Sequence, residues 1–252
     1  MSDYSLTTFG ASGELTQVRY ALTAVGNGET CLGIRAKNGV VIACEKKLTS
    51  VLVDESSIHK VEKIAPYLGV TYAGIGPDFS AVLLKARKDV QIYHSRYQDR
   101  ITPFMLCKQV ADLFQEYTQS GGVRPFGIGM IVAGYDEEQG PQIFQIEASG
   151  TFYCWKATAL GKQGSQAKQF LEKRFSDDLD IEDAIHTAIL TLKDSFEGEL
   201  TDKNIEIGVI RTADPNKEFK ILSASEIRDY LREVEWMKLR NKVHKMLSLH
   251  NL

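Results

Sequence analysis

The sequence predicts an α+β fold in which two β-sheets pack together and pairs of helices cover the outside. Two observations carry this. Long helix patterns come in consecutive pairs, at 78–97 with 103–119 and at 165–175 with 181–197, and the strand patterns are grouped between them. Two β-rich runs are also joined across Lys37-Asn38-Gly39, and Asn-Gly is the strongest short hairpin signal because both residues tolerate positive φ. With 252 residues, 43% hydrophobic and 25% charged, the chain is long enough for one large core.

In chain order, Leu15, Val18, Leu22 and Val25 recur at three and four, which predicts a short amphipathic helix broken by Gly26-Asn27-Gly28. Strands follow at 30–36, 40–45 and 70–73, the last ended by Gly74-Ile75-Gly76-Pro77. After the first helix pair come strands at 126–134, 142–146 and 151–155. In the second pair, Ile181, Ala184, Ile185, Ala188, Ile189 and Leu192 line one face. Strands at 205–211 and 219–222 precede a last helix, announced by the capping-box spacing of Ser223 and Glu226 and by Ile227, Tyr230, Leu231 and Val234.

Composition excludes several function classes. A net charge of -3 argues against nucleic-acid binding, which needs a concentrated basic surface. No run of about 18 apolar residues could cross a bilayer, and the amino terminus lacks a basic-then-apolar signal, so the chain is expected in the cytoplasm and nucleus. Cys31, Cys44, Cys107 and Cys154 are scattered and read as buried, reduced thiols. No histidine stands at metal-ligand spacing from them, and His59 and His186 are isolated. Gly161-Lys162 lacks the spacing of a phosphate loop. No metal, nucleotide or other cofactor is implied.

The most specific string is Q-E-Y-T-Q-S-G-G-V-R-P-F-G at 115–127. Leu106, Val110, Leu113, Phe114 and Tyr117 give the preceding helix one apolar face, two glycines end it, and Pro125 biases Arg124 towards an extended strand entrance. The string resembles the hallmark of α-type subunits of the 20S proteasome. Further matches are N-G-V-V-I-A-C-E-K-K at 38–47, G-I-G-P-D at 74–78, W-K-A-T-A-L-G-K at 155–162, F-L-E-K-R at 170–174 and L-D-I-E-D-A-I-H-T-A-I-L-T-L-K at 179–193. The resemblance covers nearly all of the chain to about Val234. It implies a four-layer α-β-β-α sandwich of the N-terminal-nucleophile hydrolase type. The expected divisions are a gate tail and helix at 1–28, the sandwich at 29–222, and a C-terminal helix with a basic extension at 223–252.

Within that family the choice is between a catalytic β-type threonine peptidase and a non-catalytic α-ring subunit. The peptidase needs a free N-terminal threonine, because the terminal amine serves as the base. Here Thr30 opens the comparable strand but follows a helix-forming segment like the permanent α-type extension, so no catalytic residue is expected. The resemblance implies a subunit of the heptameric outer ring, contacting other α subunits, the β subunits of the adjacent ring, and activators or a regulatory particle. It would act in ubiquitin-dependent and ubiquitin-independent protein degradation.

The segment F-G-A-S-G-E-L-T-Q-V-R-Y-A at 9–21 is similar to the family's N-terminal signature, matching at Phe9, Gly13, Leu15, Gln17, Tyr20 and Ala21. The resemblance makes Phe9, Gly13, Gln17 and Tyr20 gate residues, although a buried helix tyrosine is the alternative for Tyr20. Ala11 stands where the family has a turn proline, and Glu14 and Arg19 invert two charges and could pair with each other or with a neighbouring subunit. S-I-H-K-V-E-K-I at 57–64 aligns Lys60 with the family's activator-pocket lysine, whose ammonium would receive a terminal carboxylate. Beyond the usual family ending, Trp236, Leu239, Val243, Met246, Leu247 and His250 recur at helical spacing among basic residues.

Overall fold

The structure, a computed structural model, describes residues 8–48, 50, 52–196 and 198–250. In it the Asn-Gly hairpin forms, but by another device than the one its sequence suggests. Strands β1 (Cys31–Ala36) and β2 (Gly39–Glu45) pair with Ala36 opposite Gly39. Neither Lys37 nor Asn38 has positive φ, so this is not the mirror-image turn that Asn-Gly favours. The Asn38 side chain instead accepts the Ile181 N–H at 2.8 Å. A Cβ on Gly39 would lie 2.2 Å from the Ile210 carbonyl oxygen. The glycine is required by the close approach of the next strand.

The remaining strands are β3 (Val61–Ala65), β4 (Leu68–Gly74), β5 (Ile128–Asp136), β6 (Gly140–Ile146), β7 (Phe152–Cys154), β8 (Ala157–Leu160), β9 (Ile205–Arg211) and β10 (Phe219–Ile221). One antiparallel sheet has the order β10-β9-β2-β1-β8 and the other β3-β4-β5-β6-β7. Helices α2 (Gly76–Tyr97) and α3 (Pro103–Gln119) cover the second sheet, with α1 (Thr16–Gly26) packed near them on β4 and β5. Helices α4 (Gly164–Arg174) and α5 (Ile181–Ser195) cover the first sheet, and α6 (Ala224–His250) lies on α5.

Three apolar cores separate these four layers. Phe114, Leu106 and Met130 lie between the second sheet and its helices, Leu32, Ile185 and Ile189 between the first sheet and its helices, and Ile42, Ile131, Ile143 and Phe219 between the sheets. This is the expected α-β-β-α sandwich. Central strands are buried on both faces, which is why V-V-I-A-C reads as a continuous apolar run. Phe219 is fully buried in a slot left by two glycines, since a Cβ on either Gly69 or Gly208 would come within 2.1 Å of its ring.

Three expectations need correction. The residue pattern alone does not show strands β3 and β8, because V-E-K-I-A carries two charges and because the chain leaves one sheet at Cys154 and joins the other at Ala157 without a turn signal. Cys154 is exposed on β7, unlike the other three cysteines, all four thiols being free. The first helix of the pair on the second sheet starts at Gly76, with Pro77 in its first turn, where the missing proline N–H breaks no helical bond. The capping box does form, the Ser223 N–H donating to Glu226 Oε2 at 2.8 Å, and the Lys220 ammonium, followed by Ser223, pulls the Glu226 pKa down to about 2. His186 Nε2 lies 2.8 Å from Glu233 Oε2, tying α5 to α6.

Candidate functional site

The segment leading into α1 is folded back by its glycines. Gly13 has φ of +78°, a conformation costly for other residues, and its N–H donates to the Gly10 carbonyl at 2.9 Å while Gly10 donates to Glu14. Gly13 therefore supplies the reversal that a proline at Ala11 would otherwise help to fix. Arg19 reaches Glu14 at 3.4 Å, so the two inverted charges pair with each other. Both are exposed, which makes the pair worth little to stability. Phe9 is 74% exposed and Tyr20 56% exposed, which excludes the buried helix tyrosine. Gln17 is half-buried beside them in sequence. Exposed aromatic side chains ahead of α1 and on it suit contact with other chains. The expected gate tail at 1–7 lies outside the described residues.

Beneath α1 lies the 115–127 junction. Helix α3 ends at Gln119, where Ser120 becomes extended, and Gly121 and Gly122 form the turn that follows, Gly122 at φ of +80°. Phe126 stacks on Tyr117 at 4.4 Å and packs on Phe114 at 5.0 Å. Arg124 forms a two-pronged ion pair with Asp78, at 2.7 and 2.8 Å, and the Gly127 N–H donates to the same carboxylate at 2.9 Å. The Arg124 hydrogen bonds hold the Asp78 pKa below the ordinary carboxylate range against the opposing effect of burial, and the Gly127 N–H adds to them. Thus G-I-G-P-D and G-G-V-R-P-F-G are two halves of one clamp, which sets Gly127 under Ala24 of α1.

Lys60 is almost wholly buried, its ammonium 3.0 Å from Glu29 Oε2 and 3.7 Å from the centre of the Tyr72 ring. Tyr72 stacks in turn on Phe79 of α2. Burial disfavours the ammonium's charge, but Cys44, Tyr72 and Glu29 outweigh it and raise the Lys60 pKa. Glu29 moves the other way: burial raises its pKa, but Lys60 more than offsets this. The lysine's contribution is complete below its ordinary pKa and is lost only as pH rises through the raised folded value. The glutamate's is complete above its ordinary pKa and is lost as pH falls through the lowered one. The pair therefore stays charged throughout the neutral range.

The sequence singles out Lys60 but not the groups that position it. Glu206 of β9 accepts the Lys60 and Val61 N–H groups at 2.6 and 2.9 Å and pairs with Lys46 at 3.3 Å. A glutamate between Ile205 and Ile207 was the available signal, because a mid-strand charge in a buried sheet needs a partner. Glu29 lines a neighbouring cavity of about 380 Å³ with Thr30, Glu45, Lys47 and Asn204, and Lys60 does not line it.

Thr30 also sits at this cavity but cannot act as a terminal nucleophile in this arrangement. It is fully buried, its N–H is a peptide donor to Glu45 Oε2 at 3.3 Å, and its hydroxyl accepts the Gln163 N–H at 3.4 Å. The segment before it is built into the fold, with the Lys162 N–H donating to the Gly28 carbonyl at 2.8 Å. Glu45 has one carboxylate oxygen without a partner among the described residues, and burial raises its pKa. Glu45→Gln is expected to raise Tm at pH 7 by about 1–2 °C. The gain should shrink as pH falls, because protonation relieves the same burial in the parent chain; calorimetry from pH 4 to 8 checks both.

Among the described residues no group of histidine, cysteine and acidic side chains could hold a metal ion, and no helix is long and apolar enough to cross a membrane. Residues 25–210 match the Proteasome family, described as proteasome subunit. A protein of Oryza sativa subsp. indica called proteasome subunit alpha type-2 is 54% identical over 92% of this chain and 97% of its own length. Proteasome subunit alpha type-2-B of Arabidopsis thaliana is also 54% identical, over the same shares of the two chains. Proteasome subunit alpha type-2 of Dictyostelium discoideum is 50% identical over 91% of this chain and 98% of its own length.

Proposed function

The chain belongs to the proteasome subunit family as a non-catalytic α-type member, and from that premise we propose that it closes and docks as well as scaffolds. In this reading it stands in the heptameric outer ring of the 20S core particle in the cytoplasm and nucleus, against α neighbours and the adjacent β ring. Phe9, Gly13, Gln17 and Tyr20 support the axial gate, and Lys60 receives activator tails. The observation that carries the non-catalytic role is Thr30, fully buried and preceded by folded chain that includes α1. N-terminal sequencing of the assembled subunit, with peptide hydrolysis by the isolated chain, tests it. A start upstream of Thr30 and no turnover are expected; a new terminus at Thr30 with activity would overturn the assignment.

In this reading, charge balance governs docking at Lys60. The ammonium is already engaged by Glu29, so an arriving terminal carboxylate must share it or displace that partner. Lys60→Ala should weaken activator binding at this pocket by about 1.5–3 kcal/mol. Glu29→Gln should strengthen it, since the competing negative charge is gone. Lys63→Ala is the control, its side chain being exposed. Titrating activator against particles carrying each variant distinguishes these results, and an equal loss from Lys63→Ala would remove Lys60 from the role.

The gate proposal has its own test. With Ala11 in place of a proline, the ordered reach of this tail is less constrained and its closed state entropically costlier. Deleting residues 1–7 should change latent peptide hydrolysis by less than about twofold, because other subunits carry most of the closure. A several-fold rise would make this tail a principal plug.

A further inference from the structure

Helix α6 changes the side on which it is apolar. Ile227 and Val234 are buried, and Tyr230 and Leu231 pack on the same core. At about 100° per residue these four positions span an arc of roughly 100° facing α5 and the first sheet. From Trp236 onward the apolar positions move. Trp236, Leu239, Val243, Met246, Leu247 and His250 fall within another arc of roughly 100°, centred about 160° round the helix from the first. The described side chains agree, Trp236 being 75% and Leu239 61% exposed. The helix itself continues without a break to His250. Trp236 and Leu239 therefore point away from the subunit's own core, and the helix cannot fold back to cover them without breaking.

The stripe specifies its occupant. The positions 236, 239, 243, 246 and 250 alternate three and four apart, which is the narrow seam of a two-helix contact. A lipid surface would call for a broader apolar face. Charge narrows the choice further. Lys238, Arg240, Lys242 and Lys245 follow Glu235 with no acidic side chain after it, and Glu235 is already bonded to Lys193 at 3.3 Å. Of these, positions 240 and 242 flank the second stripe, and a second copy of this chain would set their two cations against two more.

We propose that residues 236–250 are a docking helix for one acidic amphipathic helix of a partner protein, received along the Trp236–Leu239–Val243–Met246 seam with its carboxylates beside Arg240 and Lys242. Such a helix is marginal in water alone and gains stability by burying the seam on its partner.

The test uses the full chain and three probes. One is a labelled synthetic helix with leucine at the seam positions and glutamate at the flanks; the second replaces the glutamates by lysines; the third is vesicles of phosphatidylserine and phosphatidylcholine. The acidic helix should bind at least about tenfold more tightly than the basic one, with a blue shift of Trp236 emission and weakening at high salt. Leu239→Asp should remove that binding at unchanged Tm, and truncation after Glu235 should do the same. Equal binding of the two helices, no binding of either, retention in Leu239→Asp, or partition into vesicles in preference to the acidic helix would each overturn the proposal.

Discussion

Replacing Phe219 by alanine is expected to destabilise the subunit by about 3–5 kcal/mol, lowering Tm on the order of 10 °C. The ring is fully buried and fills a slot in which Gly69 of one sheet and Gly208 of the other leave no room for a Cβ. Its own N–H donates to the Pro66 carbonyl at 2.7 Å, so this short edge strand holds the two sheets together by both backbone and side chain. Deleting the ring leaves a cavity lined by backbone, which cannot collapse without moving a strand. The complementary change is informative: Gly208→Ala should cost about 1–3 kcal/mol by overpacking. Joined to Phe219→Leu it should cost less than the two single changes added together, because the shortened side chain makes room for the new methyl group. Additive losses in urea unfolding would show that the glycines are not there for the ring.

The slot illustrates where sequence reading stops. Strand and helix identities were legible wherever period and burial agreed, as in α5, whose apolar face at Ile181, Ala184, Ile185, Ala188, Ile189 and Leu192 is the buried one. Reading failed where residues serve distant partners. Asn38-Gly39 spells a mirror-image turn, yet its asparagine bonds Ile181 and its glycine admits Ile210, contacts set by chain far away. The gate signature could be aligned, but the Glu14–Arg19 pair needed the helix geometry that brings them together. Lys60 is singled out by resemblance alone. Its partners Glu29, Tyr72 and Glu206 lie on three other segments, and no local pattern joins them. The turn of the α6 stripe was present in the sequence throughout, but it became meaningful only when Val234 proved buried and Trp236 exposed.

The clamp between Asp78 and Arg124 carries the second large effect. Asp78→Ala removes two ionic hydrogen bonds and strands the Gly127 N–H, and it is expected to cost about 2–4 kcal/mol. Arg124→Ala should cost about 1 kcal/mol, since most of the arginine side chain is already in water. Asp78→Asn, which keeps an acceptor for Gly127, should fall between them. The pH dependence has a definite sign. Arg124 lowers the Asp78 pKa, so the carboxylate's stabilisation is complete above its ordinary value and is lost as pH falls through the lowered folded one. The stability gap between parent and Asp78→Ala should therefore be flat from neutral pH down to about 5 and narrow below about 4. Because the clamp sets Gly127 beneath Ala24, loosening it should also free α1, which carries Tyr20 and the proposed gate contacts. Particles containing Asp78→Ala should show at most about a twofold rise in latent peptide hydrolysis, because other subunits carry most of the closure, whereas Phe219→Ala should lower yield without any rise. Urea unfolding across pH and hydrolysis assays on the same particles measure both effects. An Asp78→Ala chain within about 0.5 kcal/mol of the parent, or a gap that persists undiminished at pH 3, would show that the clamp is decoration on an already rigid junction.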